Sequence, residues 1–131
     1  MRAARRPGQN AAAGGVPGAL VALAERLQGV CRSGGVTVAV AESCTAGLLG
    51  SLITDQPGSS AYFMGGVIAY ADEVKRAERG VPAGLLATQG AVSREVAIAM
   101  AEGVRSTVGT TRGVSITGIR GPDADGPNPL R

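Results

Sequence analysis

The sequence predicts an α/β domain with a mainly parallel sheet and flanking helices. Short apolar runs at residues 36–41, 61–70 and 114–117 alternate with segments of helical periodicity. The first run is apolar almost throughout, as a strand buried on both faces must be. Glycine and proline punctuate the joins at residues 34–35, 57–58, 109 and 118–122.

The elements follow in order. Residues 1–17 are rich in Arg, Ala, Gly and Pro and read as a disordered arm. Residues 18–33 form an amphipathic helix closed by Gly34-Gly35, with Leu20, Leu23, Leu27 and Val30 as its apolar stripe. A strand over 36–41 leads into a second helix over 45–54, stopped by Asp55-Gln56-Pro57-Gly58. The second strand region, 61–70, carries Gly65-Gly66 in its middle, the mark of a bulge or a close backbone approach. Two short helices are expected over 72–79 and 82–88, the latter with Pro82 in its first turn. Ser93 then caps a helix over 94–108, with Val96, Met100, Val104 and Val108 on one stripe. The third strand ends in the loop Gly118-Ile119-Arg120-Gly121-Pro122.

Composition bounds the function. With 131 residues and 44% hydrophobic content, the chain can bury one core. Tyr62, Phe63 and Tyr70 are its only aromatics, too few for a base-stacking platform. The formal charge is +3, but Arg2, Arg5 and Arg6 account for it, so residues 7–131 balance at 0. The body therefore shows no basic footprint for nucleic acid. The chain has no histidine and no C-x-x-C, which removes Ser-His triads and the usual zinc sites. Cys31 and Cys44 give no disulfide framework, which fits a reducing cytosol. Arg5-Arg6 before an uncharged stretch imitate an export signal, but Pro17 and the helical stripe of residues 20–30 oppose it. No run is long and apolar enough to span a membrane.

Chemistry concentrates in Glu42-Ser43-Cys44-Thr45-Ala46-Gly47, at the turn from first strand to second helix. Ser43 there lies at the carboxyl end of a strand, where open α/β sheets bind ligands, and beside the unpaired amides of a helix start. Ser and Thr at that position are also ordinary helix caps. If the strands are parallel, the loops 42–47, 70–75 and 117–122 share one edge, bringing Ser43, Tyr70, Lys75 and Thr117 to one pocket. Without histidine, a nucleophilic serine needs another base, and a lysine or tyrosine can serve when its pKa is shifted. Lys75 is the only lysine in the chain. Each residue has a plainer reading beside this one: Lys75 as a solvated helix residue paired with Asp72 or Glu78, Tyr70 as a strand aromatic.

Several segments together resemble the CinA carboxy-terminal domain family, the nicotinamide-nucleotide amidohydrolases. They are Ala41 through Gly47, Pro57-Gly58-Ser59-Ser60, Gly65 through Tyr70 with Glu73 and Lys75, Gly90-Ala91-Val92-Ser93, Ala99 through Gly103, and Thr117-Gly118-Ile119 with Gly121-Pro122. The resemblance runs from about residue 18 to 122 in the family's order. It implies hydrolysis of the carboxamide of nicotinamide mononucleotide, giving nicotinate mononucleotide and ammonia, in a cytoplasmic bacterial enzyme that needs no metal or other cofactor. Ser43 matches the nucleophile, Tyr70 and Lys75 its polar partners, and Thr117 a pocket residue. Glu42, Thr45, Ala46, Gly65, Gly66 and Gly118 are the other substrate-binding positions it implies. The Thr45 and Ala46 amides would face the oxyanion, and Gly65 and Gly66 would let backbone approach the ligand.

Two departures stand out. Ala46 replaces a usual glycine, and the chain leaves the family's pattern after Gly121-Pro122; Arg120 also replaces a usual small residue. After Gly121-Pro122 the family continues with a glycine-rich loop, a further strand, more helix and a basic substrate contact, about 30–40 residues by average element lengths. Here residues 123–131 read as a disordered tail, so a domain over 18–122 lacking the last strand and helix is expected. That leaves an active deamidase, a non-catalytic nucleotide-binding or interaction domain, and another serine amidohydrolase as readings. The expected partner is a small nucleotide, with neither nucleic acid nor membrane; a monomer and a homo-oligomer both remain open.

Overall fold

The computed structural model describes residues 16–77 and 80–119. The arm before residue 16, the tail from 123, and Arg120, Gly121 and Pro122 lie outside the described residues.

Three parallel strands form one sheet in the order β2-β1-β3, where β1 is Val38–Glu42, β2 Phe63–Ile68 and β3 Arg112–Ile116. All five residues of β1 are buried, as a central strand covered on both faces requires. Its side chains alternate between two cores. Val38 and Val40 pack with Cys31, Ile53 and Tyr62, beneath α1 (Gly18–Gly34) and α2 (Leu48–Thr54). Ala39 and Ala41 pack on the opposite face with Leu86, Val96, Met100 and Val104, from α4 (Ala83–Gln89) and α5 (Arg94–Val108). The small α3, Asp72–Ala77, follows β2. The result is a three-layer α/β/α arrangement.

Close approach sets the spacing of the layers. The register slips between Val38 and Ala39, leaving Met64 as the extra residue of a bulge in β2. Beyond it Gly66 pairs with Val40, and a methyl at Gly66 would stand 2.3 Å from the Val40 carbonyl oxygen. At the other end of the sheet, Thr37 and Thr111 clamp β1 to β3: each backbone N–H donates to the other's hydroxyl, at 2.8 and 3.0 Å.

Two sequence expectations are corrected. The stripe of α1 is rotated: Ala24 and Cys31 are buried and Leu27 partly so, while Leu20, Leu23 and Val30 are exposed, Val30 by 66%. Cys31 and Leu27 join the core with Val38 and Val40, so bulk was the misleading guide. The second helix starts at Leu48 rather than residue 45, because Ala46 (φ 49°) and Gly47 (φ 103°) adopt left-handed backbone. In α5, Val96, Met100 and Val104 are buried as expected, while Val108 at the end of the stripe is exposed, and Ser93 caps the helix by accepting from Val96 N–H at 3.2 Å.

Candidate active site

The three strands end level with one another. Glu42 pairs with Ile68 on one side and Ile116 on the other, so the loops after β1, β2 and β3 leave the same edge. The central loop is pinned from both flanks. Ser43 N–H donates to Ile116 O at 2.9 Å, and Ala69 N–H donates to Glu42 O at 2.7 Å. Gly118 abuts Cys44 so closely that a methyl there would lie 3.0 Å from its Sγ. One at Gly47 would lie 3.4 Å from Ile68 Cδ1. The loops of Ser43, Tyr70 and Thr117 thus line one short stretch of the sheet edge.

Ser43 is buried. Its carbonyl accepts from Ala46 N–H at 3.1 Å, closing a turn. That amide, expected to face an oxyanion, is therefore engaged within the loop. Glu42 is 1% exposed, and its carboxylate accepts from Thr45 Oγ1 at 2.6 Å, Leu49 N–H at 2.9 Å and Gly50 N–H at 2.9 Å. Burial pushes this carboxyl's pKa up. The hydrogen bonds from Thr45, Gly50, Leu49 and Gly47 outweigh that and hold it below its ordinary value.

Lys75 is 2% exposed, and its ammonium donates to the Tyr70 backbone carbonyl at 2.6 Å. The plainer reading of Lys75 as a solvated helix residue does not hold. Tyr70 belongs to the loop after β2 rather than to the strand, and its side chain is 66% exposed. The lysine engages Tyr70 through its main chain. Thr117 Oγ1 donates to Ala91 O at 2.9 Å, tying the loop after β3 to the segment between α4 and α5. Gly65 and Gly66 lie opposite Ala39 and Val40, inside the sheet and short of its edge. The close approach that Gly66 permits is strand to strand. Among the described residues, no cluster of His, Cys, Asp and Glu is arranged to hold a metal, and no helix is long and apolar enough to cross a membrane.

Open parallel sheets bind ligands outside the carboxyl ends of their strands, and Ser43 and Lys75 are both buried in the loops and helix that follow those ends. Residues 20–129 match the model of the CinA C-terminal domain, and the chain belongs to that family. It is 56% identical over 105 residues to a CinA-like protein of Gemmatimonas aurantiaca, covering 80% of this chain and 24% of that protein. It is 57% identical over 89 residues to a competence-damage inducible protein of Desulforudis audaxviator, covering 68% of this chain and 22% of that one. The chain thus spans about a quarter of the length of these curated relatives. Among solved structures, the competence/damage inducible protein CihA from Agrobacterium tumefaciens superposes with a TM-score of 0.79 at 37% identity, covering 87% of this chain and 70% of that one. A CinA superfamily protein from Escherichia coli gives a TM-score of 0.81 at 26% identity, covering 85% and 65%.

Proposed function

We propose that this domain is a serine amidohydrolase that deamidates nicotinamide mononucleotide to nicotinate mononucleotide and ammonia. In this reading Ser43 Oγ attacks the carboxamide carbon, and its proton leaves with the amine as ammonia. Water then cleaves the acyl-serine to release the carboxylate and restore the hydroxyl. Lys75, with Tyr70 beside it, manages the proton. The observation that carries the reading is the burial of Lys75. A lysine needs such desolvation before it can act as a base near neutral pH, and the chain has no histidine to take that role. Membership of the CinA family supports the substrate assignment. The setting proposed is the bacterial cytoplasm.

A second reading, a nucleotide-binding domain without catalysis, is favoured by one observation. The first amides of α2 are bonded to Glu42, so they do not serve an oxyanion or a phosphate. Ammonia release from nicotinamide mononucleotide separates the two readings. Ser43→Ala should lower the rate at least about a hundredfold, the scale of losing covalent catalysis. A folded variant with near wild-type turnover sinks the assignment, and binding without ammonia release selects the second reading.

A further inference from the structure

The Glu42 carboxylate accepts three hydrogen bonds at the sheet edge, from the Thr45 hydroxyl and the Leu49 and Gly50 amides. Glu42 is 1% exposed and directly precedes Ser43. Its own carbonyl accepts from Ala69 N–H, and the next amide, Ser43 N–H, donates to Ile116 O. The peptide unit joining Glu42 to Ser43 is therefore held by both neighbouring strands, while the side chain holds the far side of the turn. Those residues need such a hold. Ala46 has a left-handed φ of 49°, uncommon outside glycine, and Gly47, at the start of α2, has no side chain with which to cap it. A carboxylate six residues upstream of the helix does the capping instead.

We propose that Glu42 is the positioning residue for Ser43: it fixes the serine turn by binding the head of α2 and Thr45, and makes no contact with substrate. This rests on the reading of Ser43 as nucleophile. A carboxylate with two accepting oxygens is required, because a glutamine side chain would present N–H to an N–H at one of the two positions. The turn would then open on one side while the strands stay paired.

The test uses Glu42→Gln, together with Thr45→Val, which removes the hydroxyl donor. Two readouts are taken: amide hydrogen exchange across residues 45–50, and deamidation of nicotinamide mononucleotide. In Glu42→Gln, exchange at Leu49 and Gly50 should quicken about tenfold or more while the β1 amides stay protected. The kcat should fall about 10- to 100-fold, with KM within about threefold, the pattern of lost alignment rather than lost binding. Thr45→Val should fall between wild type and Glu42→Gln in both readouts. Unchanged exchange in Glu42→Gln overturns the proposal, as does quickened exchange with unchanged kcat, which would make Glu42 a helix cap and nothing more. A wild-type protein that releases no ammonia fails the functional reading, and exchange alone then decides whether Glu42 holds the turn.

Discussion

Lys75 turns back from α3 to place its ammonium 2.6 Å from the backbone carbonyl oxygen of Tyr70. The pair is asymmetric, since Lys75 is enclosed and the Tyr70 side chain is 66% exposed. The two residues should therefore respond differently to substitution. Lys75→Met keeps the length of the side chain and removes the amine. It should lower kcat by about a hundredfold or more, within the range for losing a general base, with a smaller effect on KM. Tyr70→Phe leaves the backbone contact untouched and should cost less than about tenfold, because an exposed phenol exchanges its hydrogen bonds with water. Steady-state deamidation kinetics check both. Unchanged turnover in both variants removes this pair from the proton transfer.

Gly66 and Gly29 should respond to alanine with opposite signs. A Cβ on Gly66 would stand 2.3 Å from Val40 O and 2.6 Å from Val40 Cγ2, inside the β1–β2 pairing. The strands must separate to admit it. Gly66→Ala should cost about 1–3 kcal/mol or more, the scale of overpacking a core. Gly29 lies within α1 with nothing within 4 Å of the corresponding position. There alanine should add about 0.5–1 kcal/mol by helix propensity. Urea denaturation measures both. A neutral Gly66→Ala means the two strands tolerate wider spacing than the structure shows.

Tyr62 is 1% exposed, and among the described residues its hydroxyl has no hydrogen-bond partner. Burial pushes its pKa up, as does the charge of nearby Cys31, against a smaller opposing effect from Arg32. An enclosed polar group without a partner costs about 1–3 kcal/mol of desolvation. Tyr62→Phe keeps the ring in the core with Val38, Val40 and Ile53 and removes that cost. Its melting temperature should equal or exceed the wild-type value. A clear drop means the hydroxyl contributes to stability after all.

Much of this was legible in the sequence because hydrophobic period and turn chemistry are local. The apolar run of β1, the Ser93 cap and the Val96–Met100–Val104 stripe are each decided by residues a few positions apart. The parallel order also followed from the alternation of elements, and with it the sharing of one edge by Ser43, Tyr70 and Thr117. What local pattern could not supply was packing direction. Leu20, Leu23 and Val30 have the spacing of a buried stripe, yet Ala24 and Cys31 are the residues buried. The Gly65–Gly66 pair signalled close approach correctly, but the neighbour of Gly66 is Val40 in the adjacent strand, a contact set by pairing register. Glu42 is the clearest case. Its side chain reaches Leu49 and Gly50, seven and eight residues on, which only the tight turn at Ala46 and Gly47 allows.

That carboxylate gives the protein a specific acid sensitivity. The Glu42 carboxyl is held below its ordinary value of 4.5 in the folded state, and the unfolded chain returns it to that value. Between the two values the unfolded state binds more protons, so stability rises with pH across that window. The contribution is fully present above about 4.5 and is lost as pH falls through the folded value. Glu42→Gln lacks the titrating group. At pH 7 it should be less stable than wild type, because one accepting oxygen is replaced by a donor. The gap between the two proteins should stay constant down to about pH 5 and then narrow as the wild-type carboxylate takes up its proton. Denaturant midpoints measured from pH 7 to pH 3 trace this directly. A gap that stays constant through that acid range, or widens, means that the Glu42 carboxylate is not the charged cap of α2.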